Sequence, residues 1–228
     1  MSENYIIWKA FDTEQIETIK KLIDVGDWYP GYETFHVADP SIGNLMASNK
    51  EYNQKNQNYP IVTRIVYGSM DKSREFFNFC FPKTSSDILI SKYDVGEQMS
   101  VHEDNPKNGD FSTTIFLNDP STYEGGELCL YINGKEEKIK LEAGYAITYE
   151  TGIPHRVNRL ENGQRLVIAL WTKSTNMDPL HREILNDIFK LEKMIPKDTQ
   201  VYSDFESFLN SPRKILKSIK YKILRKYQ

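Results

Sequence analysis

The sequence predicts a mainly β protein with flanking helices, an antiparallel sandwich or jelly roll. Three observations support this fold class. From residue 87 onward, short apolar or alternating runs are separated by turn residues about every eight to twelve positions, as in antiparallel sheets. Asn133-Gly134, between two of these runs, is a strong signal for a two-residue hairpin. No helical pattern interrupts this block, whereas the segments on either side of it follow helical spacing.

The chain begins with a predicted amphipathic helix and a loop. Asp12 or Thr13 can cap a helix whose apolar residues recur at helical spacing until about Gly26. Residues Trp28–Pro60 are rich in Pro, Gly, Asn and Tyr without a clear period, which predicts a loop. One short helix is expected within it, around Gly43–Gln54.

The next segments predict one supporting strand, a second helix and then the main sheet. Ile61–Tyr67 predicts the extra strand, and Asp71–Phe79 predicts a helix that ends before Pro82. Glu161-Asn162-Gly163 predicts a turn. The eight strands of the central block are predicted at Ile88–Tyr93, Met99–Glu103, Ser112–Leu117, Glu127–Ile132, Glu137–Leu141, Tyr145–Tyr149, His155–Leu160 and Leu166–Thr172.

Helical spacing returns after Pro179, and a basic tail ends the chain. A short helical piece is expected at Phe205–Leu209. Residues 211–228 contain seven Lys or Arg and no acidic residue, with apolar residues at helical spacing. The favoured interpretation is a terminal helix packed on the domain with a solvated basic face. The alternative is docking to an acidic partner, such as a nucleoprotein particle or an anionic lipid surface.

Length and composition limit the class of protein. With 228 residues, 39% hydrophobic and 27% charged, the chain is ordinary for a globular protein, which excludes collagen-like, mucin-like and disordered classes. We expect one domain over residues 1–228, divided into 1–86, 87–175 and 176–228. The longest apolar run, Leu166–Trp171, is too short to span a membrane, and the first residues lack a signal-peptide pattern.

Charge and cysteine usage predict the compartment and restrict the partners. The net charge of −3 argues against general nucleic-acid binding. The seven positive charges of residues 211–228 are the exception, and removing them leaves −10 on residues 1–210. Cys80 and Cys129 are the only cysteines, and their spacing matches no paired motif. This usage is typical of a reducing compartment, so we expect a cytoplasmic protein.

The tripeptide His102-Glu103-Asp104 is a candidate metal-binding motif. On a strand, His102 and Asp104 share a face with Cα atoms about 6.6 Å apart. His155 begins a later strand and can supply a third ligand. Two histidines and one carboxylate on one face of an octahedron leave three open positions, which suits Fe(II) that must also bind a co-substrate and oxygen. The alternative is that a His-x-Asp tripeptide occurs by chance.

Arg165 opens the last predicted strand, where its guanidinium would face an otherwise apolar interior. A buried unpaired charge is very unfavourable, so Arg165 needs an anionic partner. A dicarboxylate co-substrate could supply that partner through a bidentate contact. A salt bridge to an acidic residue of the protein is the alternative.

These residues resemble the Fe(II)- and 2-oxoglutarate-dependent dioxygenases, in particular the prolyl-4-hydroxylase-like group with its bacterial PKHD-type hydroxylases. The resemblance runs from Tyr93 to Trp171. Its motifs are, in order, Tyr-Asp-Val-Gly-Glu-Gln-Met-Ser-Val-His-Glu-Asp-Asn, Thr-Ile-Phe-Leu-Asn-Asp, Gly-Gly-Glu-Leu, Pro-His-Arg-Val and Arg165 with a tryptophan six residues later. The family fold, a double-stranded β-helix or jelly roll with helices on one side, agrees with the predicted strands.

The resemblance implies a set of roles within the site. His102, Asp104 and His155 would bind Fe(II), and Arg165 would bind the distal carboxylate of 2-oxoglutarate. Tyr93 matches a tyrosine whose hydroxyl assists the co-substrate, although a partly buried strand aromatic is its alternative interpretation. Further candidates for the co-substrate pocket are Thr114 and Phe116. Where many relatives have a second tyrosine, three residues before the first ligand, this chain has Met99.

The resemblance also implies the reaction. Related halogenases lack the carboxylate that Asp104 supplies, so hydroxylation is favoured. We expect 2-oxoglutarate and O2 as co-substrates, succinate and CO2 as products, and ascorbate as a reductant. The expected substrate is a prolyl residue of a protein or peptide. The alternatives are a small-molecule substrate such as a free amino acid, or a non-catalytic jelly-roll module that retains a metal.

Overall fold

The chain folds into two antiparallel sheets that face each other. The computed structural model describes residues 4–35, 46–175, 178–195 and 209–227. The strands within these ranges are Tyr5–Lys9 (β1), Trp28–Pro30 (β2), Lys50–Tyr52 (β3), Pro82–Ser85 (β4), Leu89–Tyr93 (β5), Met99–His102 (β6), Phe111–Phe116 (β7), Tyr123–Gly125 (β8), Leu128–Ile132 (β9), Lys135–Ile139 (β10), Tyr145–Glu150 (β11), His155–Val157 (β12), Leu160–Gly163 (β13) and Arg165–Ser174 (β14).

The sheets have the arrangement of a jelly roll. The larger sheet has eight strands, in the order β1-β11-β7-β14-β5-β3-β2 with β4 also paired to β14. The smaller sheet has the order β10-β9-β12-β6, and β8 pairs with β13 in a separate two-stranded sheet. Between the two main sheets lies one apolar cluster, to which Phe116 and Ile147 come from the larger sheet and Leu128 and Leu130 from the smaller. This architecture confirms the predicted fold class.

Helices cover the other face of the larger sheet. The described α-helices are Thr13–Asp24 (α1), Tyr59–Met70 (α2), Arg74–Cys80 (α3), Pro179–Met194 (α4) and Pro212–Leu224 (α5). Asp12, one of the two predicted capping residues, caps α1 in a reciprocal pair with Gln15. Residues of α1, α2 and α3 share a buried cluster with strand residues such as Ile115 and Ile168, so burial against the larger sheet holds these helices in place.

Each of the eight predicted strands has a counterpart in the structure. The hairpin at Asn133-Gly134 joins β9 to β10, and both residues have positive φ, 51° and 77°. Two consecutive positive φ values are the requirement of the hairpin turn that Asn-Gly favours. The turn chemistry of these two residues therefore sets the register of one edge of the smaller sheet.

The prediction of a strand at Ile61–Tyr67 is wrong, because the segment lies within α2. Its β-branched residues suit a strand, but Pro60 occupies the first turn, where proline favours helix initiation. Val62, Val66 and Met70 recur every four residues and are all buried. Burial of this helical stripe against the rest of the core outweighs the local strand preference.

Three smaller predictions need correction or fall outside the description. Where a short helix was expected around Gly43–Gln54, the described part contains β3, which is held by pairing with β2 and β5. Glu161-Asn162-Gly163 belongs to β13 instead of a turn, because β8 provides it with a partner strand. Residues 43–45 and most of the piece expected at Phe205–Leu209 lie outside the described residues.

The basic tail forms a helix packed on the rest of the fold, as the favoured interpretation predicts. Leu216, Ile223 and Leu224 of α5 contact a cluster that contains Leu185 and Ile188 of α4. The docking of this tail to an acidic partner stays a prediction. Among the described residues, no helix is long and apolar enough to cross a membrane.

Candidate metal centre and co-substrate site

The two motif histidines meet across a strand pair of the smaller sheet. His102 ends β6, His155 begins β12, and they stand directly opposite in the antiparallel register. Asp104 follows β6, and its carboxylate oxygens lie 3.8 Å from His102 Nε2 and 3.7 Å from His155 Nε2. The three ligand atoms lie within 4.8 Å of one another. An ion about 2.1 Å from two ligands keeps them within about 4.2 Å, so both Asp–His distances can accommodate one ion.

Both imidazole rings direct Nε2 to the centre of this cluster. His102 Nδ1 lies 2.9 Å from the carbonyl oxygen of Ser100, and His155 Nδ1 lies 2.9 Å from that of Ile153. A carbonyl only accepts, so Nδ1 carries the proton and Nε2 keeps its lone pair in the neutral ring. Burial lowers the pKa of His155, with the Asp104 carboxylate opposing the shift, and this favours the neutral form that binds metals.

The Asp104 carboxylate is held by a hydrogen bond from the larger sheet. Ser112, on β7, donates from Oγ to Asp104 Oδ2 at 2.7 Å. The same Oγ lies 3.2 Å from the hydroxyl of Thr151. A carboxylate with such a partner is already oriented before a metal binds, which is the usual arrangement around metal ligands. The smaller sheet therefore supplies the histidines, and the larger sheet orients the acid.

Arg165 is buried in the same interior, at the start of β14, and is only 1% exposed. Its Nε and Nη1 have no hydrogen-bond partner among the described residues. None of the ion pairs in the described part of the chain includes it. Its guanidinium carbon lies 4.9 Å from the ring centroid of Tyr93 and 5.5 Å from that of Phe116. Aromatic rings thus flank a buried cation whose Nε and Nη1 donors remain available to an anion.

Tyr93 stands directly opposite Arg165 in the pairing of β5 with β14. Burial raises the pKa of Tyr93 to about 12, although the nearby Arg165 opposes the shift, so the phenol is protonated and can donate at neutral pH. Its hydroxyl lies 4.0 Å from the sulfur of Met99. A thioether is a weak acceptor, and Arg165 can only donate to the phenol oxygen, so the hydroxyl proton stays available to another group.

Thr114 and Phe116 lie on β7, at alternate positions that share a face with Ser112. Thr114 is opposite Ala169 and Phe116 is opposite Val167, so both are on the same face of the larger sheet as Arg165. The structure thus brings all seven predicted site residues to the space between the two sheets. Their individual roles stay predictions.

Comparisons with known proteins decide the family. Residues 88–173 match the family model of the 2OG-Fe(II) oxygenase superfamily. A PKHD-type hydroxylase of Thermosynechococcus vestitus is 30% identical over 206 residues, covering 87% of this chain and 90% of that protein. The chain belongs to the 2OG-Fe(II) oxygenase superfamily, in its PKHD-type group. A second PKHD-type hydroxylase, from Picosynechococcus, is 44% identical over 111 residues, covering 47% of this chain and 51% of that one.

Solved structures support the same fold for this oxygenase. A prolyl-4-hydroxylase of Pseudomonas putida superposes with a TM-score of 0.56 at 15% identity, over 76% of this chain and 94% of that one. A prolyl hydroxylase of Trichoplax adhaerens, solved with a peptide fragment of the hypoxia inducible factor oxygen degradation domain, gives 0.62 at 17% identity, over 76% and 84%. Both confirm the jelly roll.

Sequence reasoning missed several groups that face the oxygenase site. The ring of Tyr149, on β11, lies 5.5 Å from that of His155. Burial and the Asp104 carboxylate raise the pKa of Tyr149 well above its usual value, and Arg165 opposes the shift, so this phenol interacts with both ends of the site. Tyrosines on strands match no motif by themselves, and only the pairing of β11 with β7 indicates where this one lies.

The features outside the motif do not add to the oxygenase site. His181, on α4, contacts the hydroxyl of Tyr227 and packs against its ring, so its side chain has a packing role. His36 lies outside the described residues. A groove of 740 Å³ is lined by residues of β1, α3 and α4, and includes none of the predicted site residues.

Proposed function

We propose that this oxygenase hydroxylates a prolyl residue of a protein or peptide, using Fe(II), 2-oxoglutarate and O2. In the balanced reaction, 2-oxoglutarate, O2 and a substrate C–H group give succinate, CO2 and a C–OH group. One observation carries the proposal. A His-His-Asp cluster and a buried arginine with unused donors face the same interior, which suits a metal and a dicarboxylate together.

The residues fit both Fe(II) and 2-oxoglutarate. His102, His155 and Asp104 would hold Fe(II) through two Nε2 atoms and one oriented carboxylate. Arg165 would hold the distal carboxylate of 2-oxoglutarate, with Tyr93 beside it as a protonated donor. When bound, Fe(II) with 2-oxoglutarate and O2 supplies the oxidising power for hydroxylation. Ligand geometry, co-substrate orientation and exclusion of water are the contributions of the protein.

The proposal is tested first without any substrate. Purified protein with Fe(II), 2-oxoglutarate and ascorbate, the proposed reductant, is expected to form succinate slowly. His102→Ala and Arg165→Ala are each expected to abolish that turnover. His181→Ala, outside the site, serves as the control and is expected to retain it. Wild-type protein that neither binds 2-oxoglutarate nor forms succinate would refute the assignment.

A prolyl residue is the proposed substrate. The PKHD-type relatives and the structural neighbour that was solved with a peptide support it. In addition, Tyr29 of β2 is about half exposed and, through Glu51 and Ser91, stands on the same face of the larger sheet as Tyr93. An exposed aromatic ring on the same face of the sheet as the site can contact an extended chain. Mass spectrometry of treated peptides is the test. A peptide that contains proline is expected to gain about 16 Da, and the same peptide with alanine in place of proline is expected to gain nothing.

Two other functions compete with this one. A small-molecule hydroxylase would turn over a free amino acid and leave all peptides unmodified. A non-catalytic metal module would have a filled coordination sphere, yet the cluster in the described residues offers three His, Asp or Glu ligands. Three protein ligands leave positions for exogenous groups, which favours catalysis.

We also propose a cytoplasmic location and a single functional domain over residues 1–228. Cys80 and Cys129 are both unpaired, which supports a reducing compartment. The first strand, β1, pairs with β11 inside the jelly roll, and α4 packs against Phe81, which supports one unit. Limited proteolysis is expected to yield no stable fragment that corresponds to residues 87–175 alone.

A further inference from the structure

One buried tyrosine near Arg165 has a hydroxyl that the packing of the described residues leaves without a hydrogen-bond partner. Tyr123, on β8, is only 3% exposed, and its hydroxyl is buried without a hydrogen-bond partner in the described part of the chain. Buried tyrosine hydroxyls usually have a partner, because an unmade hydrogen bond is unfavourable. An unsatisfied hydroxyl at a site that must bind a polar ligand indicates a contact that the ligand completes.

Tyr123 and Arg165 border the same space. Both side chains approach Gly126, which has φ of +65°: a Cβ atom built on it would lie 3.2 Å from Arg165 Cδ and 3.5 Å from Tyr123 Cε2. Tyr123 also belongs to a buried cluster with Tyr93 and Leu160. Burial raises the pKa of Tyr123 and the Arg165 charge opposes the shift, so the phenol is protonated at neutral pH.

The ring of Tyr123 is held in place before any ligand binds. Lys140 Nζ donates to the Tyr123 carbonyl at 2.7 Å and lies 4.1 Å from the ring centroid. On the other side, β13 approaches so closely that a Cβ atom on Gly163 would lie 3.0 Å from Tyr123 Cβ. A hydroxyl on a fixed ring loses little entropy when it binds a ligand.

We propose that the Tyr123 hydroxyl donates a hydrogen bond to the distal carboxylate of 2-oxoglutarate, beside Arg165. This inference rests on the proposed function. Arg165 Nε and Nη1 and the Tyr123 hydroxyl are three buried polar groups without partners, and the two oxygens of a carboxylate can accept from all of them. Met99, three residues before the first histidine, offers no donor, so a phenol from β8 supplies one to this end of the site.

The test compares two ligands on two variants. Binding of 2-oxoglutarate and of 2-oxopentanoate, which has a methyl group in place of the distal carboxylate, is measured by calorimetry on Fe(II)-loaded protein without O2. Tyr123→Phe is expected to weaken 2-oxoglutarate binding about tenfold and to leave 2-oxopentanoate binding unchanged. Tyr131→Phe, on the exposed side of β9, is the matched control and is expected to change neither affinity.

A second readout separates ligand binding from folding. Removing an unsatisfied buried hydroxyl is expected to leave the thermal midpoint of the ligand-free Tyr123→Phe protein unchanged or higher. Equal loss of affinity for both ligands, or no loss for either, would overturn the inference while leaving the proposed function intact. If the wild type binds no 2-oxoglutarate, the proposed function itself fails, and this inference fails with it.

Discussion

At the scale of single residues, the metal centre depends on one hydroxyl outside the motif. Ser112 holds the Asp104 carboxylate at 2.7 Å from the opposite sheet. We expect Ser112→Ala to weaken Fe(II) or Mn(II) binding about 10- to 100-fold, the usual effect of losing such a partner. Ser121→Ala removes an exposed serine hydroxyl that contacts Asp119 and should leave metal affinity unchanged. Metal titration measures the affinity of both variants. If Ser112→Ala binds the metal as tightly as Ser121→Ala, Asp104 does not need the Ser112 hydroxyl to orient it.

A second residue-scale prediction concerns the space that Arg165 occupies. A Cβ atom on Gly126 would lie 2.9 Å from Leu160 Cδ1 and 3.2 Å from Arg165 Cδ, at φ of +65°. Gly134→Ala is the control, because Gly134 has φ of +77° but nothing within 4 Å. We expect both substitutions to lower the free energy of unfolding by about 1–2 kcal/mol through backbone strain. Only Gly126→Ala should also weaken 2-oxoglutarate binding, which calorimetry would measure; equal effects on binding would contradict this reasoning.

At the scale of elements, α2 offers a test of how burial overrides local preference. Val66 is fully buried, whereas Ile61 on the same helix is about half exposed. Val66→Ala is expected to lower the free energy of unfolding by about 2 kcal/mol, since it removes buried methyl groups and leaves a cavity. Ile61→Ala should change it by less than about 0.5 kcal/mol. Denaturant unfolding of the two variants distinguishes them, and similar losses would be inconsistent with the helical stripe.

Some elements could be predicted from local sequence, and α2 could not. The hairpin at Asn133-Gly134 and the cap at Asp12 were predictable, because a turn or a cap depends on a few neighbouring residues. The structure of Ile61–Tyr67 depends on which partner buries it, and that partner is distant in sequence. Strand β1 escaped prediction for a related reason: its pairing partner, β11, lies about 140 residues away.

The candidate site also combines residues with a local sequence signal and residues that only the fold brings together. His102, Asp104, His155 and Arg165 could be proposed from the sequence because they stand in motifs that resemble those of a known family. Tyr123 was not, since a tyrosine in a short strand carries no local signal. Only the approach of β13 to β8 and the burial of Arg165 reveal its position. Groups that the fold brings together from distant segments are therefore the part of a site that one sequence leaves hidden.

At the scale of the whole molecule, the stability of the C-terminal layer is expected to be separable from the chemistry. Leu216 packs against the α4–α5 cluster, whereas Ile219, one turn later, is 40% exposed. Leu216→Ala should lower the free energy of unfolding by about 1–2 kcal/mol and the thermal midpoint by about 2–8 °C. Ile219→Ala should leave both nearly unchanged.

The separation of the buried apolar clusters explains why the lower stability of Leu216→Ala should not affect the site. The cluster around Leu185 and Ile188 shares no residue with the clusters that contain Phe116 or Tyr93. Metal and 2-oxoglutarate affinities of Leu216→Ala should therefore equal those of the wild type at temperatures well below its midpoint. At a ligand concentration of 100 times Kd, binding should add about 2.7 kcal/mol to the free energy of unfolding of both proteins. Their thermal midpoints should therefore rise by similar amounts. A smaller rise in the variant would show that α5 supports the site after all.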